Sequence, residues 1–178
     1  MNKWAFITLS FIVGLIIIPA AAYLYFAFGN LPVAVADAPF PFEAKIVRVP
    51  LHARIDREMP SQSPLAMNDE NLIAGAQTYH QQCASCHGSK NHLSSFAANM
   101  FPRAPQLWSS HRKGMVGVSD DLVGETFWKV KNGIRLSGMP AYKSLLSDEQ
   151  IWQVSMLLSV ADKPVPQKAV DLLNRPLQ

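Results

Sequence analysis

Cysteine is almost missing from this chain. Its 178 residues hold two, Cys83 and Cys86. No second pair exists to complete a zinc site, and only scattered histidines could stand in. Alternating strand patterns are also missing, and with them the α/β surroundings that a redox dithiol would want. Nothing reads as a Ser/His/Asp set, a phosphate loop or a paired-carboxylate site. There is no internal repeat and no low-complexity tract. An excess of one charge sign is absent from the middle of the chain. From Asp69 to Asp162 acids and bases balance, and the net charge of +3 comes from Lys3 and the C-terminal end. That balance gives a nucleic-acid partner no support.

Charge of either sign is missing from Ala5 to Phe28. A membrane-crossing helix needs about 20 apolar residues, so the run is long enough. Gly14 and Pro19 inside it are tolerated in membrane helices. Trp4, Tyr23 and Tyr25 lie towards its ends, where aromatic belts sit. The rival reading is a cleaved signal peptide, with Lys3 as its basic start. Its small-x-small sites would be Ala34-Val35-Ala36 or Ala36-Asp37-Ala38. The run exceeds the roughly 7–15 residues of a signal core, and those sites lie well past its end. An uncleaved anchor over 1–28 is the expectation. Both readings export the remainder of the chain, with Met1–Lys3 left inside.

Residues 29–67 read as a proline-rich linker, interrupted at Pro32, Pro39, Pro41, Pro50, Pro60 and Pro64. Within it, Phe42 to Met59 could hold a short amphipathic helix. Ile46, Val49 and Ile55 would share its apolar side, with Arg48, Arg54 and Arg57 free to meet lipid headgroups. The alternative is a solvated spacer. The folded domain is expected over 68–162, with a tail over 163–178. Asn68 can cap a helix whose face Leu72, Ala76, Tyr79, Cys83 runs into the cysteine pair. Gly88 to Ser119 reads as a long loop, of the kind that wraps a ligand. Ser119 or Asp120 can cap a helix over about Asp121–Lys131, stopped by Asn132-Gly133. The capping box Ser147-x-x-Gln150 opens a last helix, and Asp162-Lys163-Pro164 stops it. A short helical turn is expected near Val170–Leu173.

The stretch Cys83-Ala84-Ser85-Cys86-His87 organises all of this. C-x-x-C-H is the spacing for covalent attachment of a c-type haem. Two thiols can add to the two vinyl groups of one porphyrin, and the adjoining His87 is then held beneath the iron. With no other cysteine, one haem is the limit. The iron then needs a sixth ligand or leaves an open site. Met139, in the stiff turn Gly138-Met139-Pro140, suits a fixed ligand. Met100 and Met115 in the long loop are weaker candidates, and Met156 reads as core. The alternative for Met139 is packing on the haem edge. His52, His80, His92 and His111 read as surface or loop residues. Arg103, Trp108, Trp128 and Arg135 are candidate donors to haem propionates.

Asp69 to Ala161 resembles the class I cytochrome c family in its small single-haem bacterial form. The matching residues are Gly75-x-x-x-Tyr79-x-x-x-Cys83-x-x-Cys86-His87-Gly88, Pro105-x-Leu107, Asn132-Gly133-Ile134, Gly138-Met139-Pro140-Ala141 and Leu146-Ser147-Asp148-Glu149-Gln150-Ile151-Trp152. The long loop before Pro105, with His92, Trp108 and His111, departs from the pattern. The resemblance implies an all-α fold in which the first and last helices cross near Gly75, Tyr79 and Trp152. It implies haem c bound through Cys83 and Cys86, His87 as proximal ligand and Met139 as distal ligand. It also implies that the Pro105 carbonyl accepts a hydrogen bond from His87, a contact that fixes ring orientation.

Met/His ligation closes the iron and raises its potential. The function expected is therefore one-electron transfer rather than enzyme catalysis. It would run between redox proteins of a respiratory or dehydrogenase chain, from a single-pass anchor in the bacterial cytoplasmic membrane with the haem on the periplasmic side. A tether raises the effective concentration of such partners. Two further readings stay open: a gas- or peroxide-binding haem sensor or enzyme with Met139 displaced, and the anchored cytochrome subunit of a larger oxidoreductase.

Overall fold

The computed structural model describes residues 2–111 and 114–176. Arg112 and Lys113 of the long loop and the last two residues of the tail lie outside that description. Among the described residues all regular structure is helical, apart from isolated bridges between Ser89 and His92 and between Ser110 and Val116. The chain divides into two compact units, Met1–Glu43 and Ala44–Gln178.

The first unit is built on α1 (Lys3–Phe28), 26 residues with no charge after Lys3. At a rise of 1.5 Å per residue it is about 39 Å long, against roughly 30 Å of hydrocarbon in a bilayer. It is apolar on every side, and none of its residues is buried by protein. By length and composition it can cross a membrane. At its end the Gly29 N–H donates to the Tyr25 carbonyl at 2.8 Å.

In the second unit the core forms along a series of four packed helices. Helix α3 (Asp69–Gln82) begins at Asn68, whose side chain accepts the Asn71 N–H at 2.9 Å. This satisfies one of the orphan donors of the first turn. Its buried residues Leu72, Gly75, Ala76 and Tyr79 face α6 (Asp148–Ser159). A Cβ on Gly75 would overlap the Gln153 carbonyl, so only glycine lets the two backbones cross this closely. Helix α6 opens with the complete capping box of Ser147 and Gln150, and Ile151, Val154, Met156, Leu157 and Leu158 are buried along it. It ends at Ser159, before the expected stop at Asp162. The Trp152 ring is stacked on Phe127 of α5 (Val123–Asn132), centroids 4.0 Å apart. The crossing itself is therefore made by Gly75 against Gln153 and Val154.

Helix α5 starts later than expected. Leu122 is its N-cap, and neither Ser119 nor Asp120 caps it. The Asp121 carboxylate instead pairs with Lys129 at 2.8 Å. The C-terminal segment is more than a turn: α7 (Gln167–Leu173) packs on α3 and buries Ala169, Leu172 and Leu173.

Helix α2 (Glu43–Glu58) lies almost wholly in this unit. Of the three residues expected to share its apolar side only Ile55 is buried, at 1 % exposure, while Ile46 and Val49 remain 65 % and 70 % exposed. Burying one such side chain stabilises by about 1.5–3 kcal/mol. Beside it, Glu58 accepts the Trp128 indole N–H at 3.0 Å and the Arg54 Nε–H at 2.9 Å. The Arg54 guanidinium sits 5.8 Å from the Trp128 ring centroid. Arg54 thus engages Glu58 and Trp128 while most of its side chain stays exposed. Trp128 spends its N–H on Glu58, which removes it from the candidate propionate donors.

Candidate functional site

The site begins where α3 ends. The Cys83 N–H still donates to Tyr79 at 2.9 Å, and the chain then winds one more turn, α4 (Ala84–His87). The N–H groups of Cys86 and His87 both donate to the Cys83 carbonyl, at 3.2 and 2.9 Å. One turn therefore carries both thiols and the imidazole. Gly88 closes it at φ 72° and ψ 179°, a region that is essentially glycine-only. A Cβ there would also lie 2.6 Å from the Gln106 amide oxygen and 2.8 Å from the His92 carbonyl. The Tyr79 hydroxyl, wholly buried, donates to the Gly88 carbonyl at 2.7 Å.

Both cysteines are free thiols. Burial pushes the Cys83 thiol up to about 12, and the Cys86 sulfur adds to the effect. The His87 ring lies 2.8 Å from the Pro105 carbonyl through Nδ1. A carbonyl only accepts, so Nδ1 carries the proton and Nε2 keeps the lone pair that can bind a metal. Burial holds the His87 pKa below its ordinary value, against the opposing pull of the Pro105 carbonyl. The ring is therefore the neutral tautomer suited to ligation.

Loop residues fasten this turn from one side. The Leu107 N–H donates to the His87 carbonyl at 3.1 Å. The Gln106 amide donates to the Cys86 carbonyl at 3.2 Å and accepts the Ser94 N–H at 2.7 Å. The Ser94 hydroxyl donates in turn to the Ser85 carbonyl.

Met139 stands on the second turn of the site. Gly133 ends α5 at φ 67° and ψ 179°, the same glycine-only conformation as Gly88. The Ser137 hydroxyl donates to the Ile134 carbonyl at 2.6 Å and accepts the Met139 N–H at 3.2 Å. The Met139 side chain is half-buried against the cluster of Phe127, Val130, Ile151 and Trp152. Just beyond it, the Tyr142 hydroxyl donates to the Gln82 carbonyl at 2.8 Å, tying this turn to the residue before Cys83. Burial first, and then the nearby Cys83 and Cys86 sulfurs, push the Tyr142 phenol up to about 12.

The histidines outside the motif lie apart from this constellation. His80 meets the Arg175 carbonyl at 3.2 Å, His111 meets that of Gly117, and the His92 backbone bridges to Ser89. Met156 is core, with the Ser63 hydroxyl on its sulfur at 3.6 Å. No group of three or more His, Cys, Asp or Glu poised for a metal occurs among the described residues. Tyr142, Gln106 and Ser94 are structural partners of the site that motif reading passes over. Gln106 sits at the free position of Pro-x-Leu, so no pattern singles it out.

The model of the family described as cytochrome c oxidase, cbb3-type, subunit III matches residues 70–156. The matched stretch, a little under half of the chain, is a class I cytochrome c-like domain. The match spans α3, the attachment turn, the long loop, α5, the Met139 turn and most of α6. No curated protein and no solved structure matches the chain. A cytochrome c domain supports a role in electron transfer, and it implies haem c as cofactor and redox proteins or a respiratory complex as partners. The residues present fit that cofactor. Two unpaired thiols share one turn, and a neutral imidazole beside them has one nitrogen already committed.

Proposed function

We propose that this protein is a membrane-anchored, single-haem c-type cytochrome that passes one electron at a time between redox partners. Cys83 and Cys86 would hold the porphyrin by thioether bonds, with His87 and Met139 as the axial ligands. The observation that carries this reading is the 2.8 Å contact of His87 Nδ1 with the Pro105 carbonyl. It fixes the tautomer and the ring plane before any metal binds. When bound, haem c supplies a centre that gains and loses single electrons. The chain's own task is to hold that centre still. Gln106 and Leu107 brace the attachment turn, and Ser137 and Tyr142 brace the Met139 turn. Two fixed ligands leave the iron no open position, which suits carriage and excludes substrate chemistry at the metal.

The anchor would be α1, apolar throughout and about 39 Å long. With Lys3 retained inside, the haem domain would face the periplasmic side of a bacterial cytoplasmic membrane. The partners would belong to a respiratory or dehydrogenase chain. The match to a subunit family of a cytochrome c oxidase favours a place as the cytochrome subunit of a larger complex.

The test is a visible spectrum of the detergent-purified, haem-loaded protein, oxidised and reduced, with and without carbon monoxide. A low-spin spectrum that carbon monoxide leaves unmoved is expected. A high-spin spectrum, or rapid binding of the gas, would replace the carrier with a sensor or an enzyme.

A further inference from the structure

A second methionine rests on the Met139 turn. A Cβ built on Gly138 would overlap the terminal methyl of Met100 and lie 3.9 Å from its sulfur. The thioether of Met100 therefore packs on the residue immediately before Met139, over the face where Gly138 has no side chain. Met100 is half-buried. It belongs to the long loop, far from Met139 in sequence, so the contact is made by the fold.

The loop is held for this purpose at both ends. The 3-10 turn Phe96–Asn99 packs on α4, and its Ala97 is fully buried. Ser94 ties the start of that turn to the attachment turn, by its hydroxyl to Ser85 and by its N–H to Gln106. Met100 caps the other end, its N–H donating to Ala97 at 3.3 Å. The segment 94–100 thus runs from the turn that carries the thiols to the turn that carries Met139. Its last residue presents a soft sulfur on a side chain with three rotatable bonds. Of the other methionines beyond the motif, Met156 has its sulfur in the core on Ser63. The Met115 carbonyl accepts the His111 N–H.

We propose that Met100 is a reserve axial ligand for the same iron. The proposal rests on the reading of Met139 as the resident ligand. If the Met139–iron bond opens, the Met100 sulfur forms the replacement bond. No electron or proton moves in the exchange. Met100 and His87 would then hold the iron between them, and small ligands would be kept out while the resident thioether is away.

The experiment compares four full-length, haem-loaded proteins: wild type, Met100→Leu, Met139→Ala and the double variant. Leucine keeps the packing volume at 100 and removes only the sulfur. The readouts are spin state, the weak red band of sulfur-to-ferric-iron ligation, and carbon monoxide binding. Met139→Ala is expected to stay low-spin and keep the red band. The double variant is expected to lose both and to bind carbon monoxide rapidly. Met100→Leu alone should match wild type. Loss of the red band in Met139→Ala would overturn the reserve role and leave Met139 as the ligand. A double variant that stays low-spin would overturn it too, because another group would then be the replacement. Loss of the band in Met100→Leu alone, with Met139→Ala unchanged, would show Met100 to be the resident ligand. The Met139 reading itself would then fall.

Discussion

The attachment turn and the Met139 turn are built on the same backbone device and braced in opposite ways. Each hinges on a glycine, Gly88 at φ 72° and Gly133 at φ 67°, both at ψ 179°. Around Gly88 the bracing comes from a loop distant in sequence, through Ser94, Gln106 and Leu107. Around Gly133 it is mostly local: Ser137 bonds within its own turn, and a Cβ on Gly133 would meet the backbone of Met139, Pro140 and Ala141 at 2.7–2.9 Å. The lesson is that the proximal side depends on the fold being complete, whereas the distal side depends on its own short sequence. A single substitution can therefore disturb the distal turn without unmaking the proximal one.

Gly133→Ala should give the largest effect. It adds a side chain in a glycine-only region and drives it into backbone that cannot yield. Together these cost on the order of 3 kcal/mol. The displaced atoms belong to Met139, Pro140 and Ala141. The turn they deform also carries Gly138, on which Met100 rests, so both sulfurs lose their place and the variant should melt earlier and also bind carbon monoxide. Gly88→Ala should be milder. It carries the same conformational cost, about 2 kcal/mol, but one of its closest neighbours is the movable end of Gln106. It should melt earlier while its iron stays closed to the gas. Thermal melts and carbon monoxide titrations on both variants check the pair. Equal gas binding in the two would erase the distinction between the turns.

Much of this was legible in the sequence, for identifiable reasons. The Asn68 cap and the capping box at Ser147 are local hydrogen-bond devices, and both are present with their expected partners. The crossing near Gly75 was implied by the family resemblance, and α6 does cross there, where a Cβ on Gly75 would overlap the Gln153 carbonyl. What stayed hidden depends on tertiary partners. Asp121 looked like part of a helix start, yet Lys129 claims it from a later turn of α5. Arg54 looked free to meet lipid headgroups or solvent, yet Trp128 and Glu58 engage it. The burial of Ile55 and the docking of α7 on α3 follow from surfaces that no short window displays. At the site the thiols and the imidazole are marked by spacing. Tyr142 and Gln106 act through carbonyls of other segments, and a carbonyl leaves no trace in a sequence pattern.

Tyr142→Phe sharpens the comparison from the other side. The hydroxyl bond to Gln82 joins the two turns, and one such bond is worth about 1 kcal/mol net. The ring stays, and so does its packing on the Phe127 and Trp152 cluster. The expected result is a slightly lower melting temperature with the low-spin spectrum and gas exclusion intact. If Tyr142→Phe bound carbon monoxide, the distal turn would be leaning on the proximal one after all, and the local character argued for it would fail.

The smallest expected effect concerns α5, the helix that delivers Gly133. Its Trp128 donates to Glu58. The hydrogen bond from Arg54, and then that from Trp128, hold the Glu58 carboxyl below its usual value of 4.5. A carboxyl whose folded pKa is depressed contributes stability that is fully present above its unfolded pKa. That contribution is lost as the pH falls through the folded value. Stability from this contact should therefore be constant near neutrality and decline below about pH 4.5. Glu58→Gln keeps an oxygen that can accept the indole N–H but has no charge to titrate. Its melting temperature should start lower than wild type at pH 7 and converge with it on acidification. The side chain is 43 % exposed, so water screens the charge and the difference should be modest. Parallel curves at every pH would mean that the ionised carboxylate contributes nothing to holding α2 on α5. The distal helix would then be positioned by Ile55 and its apolar neighbours alone.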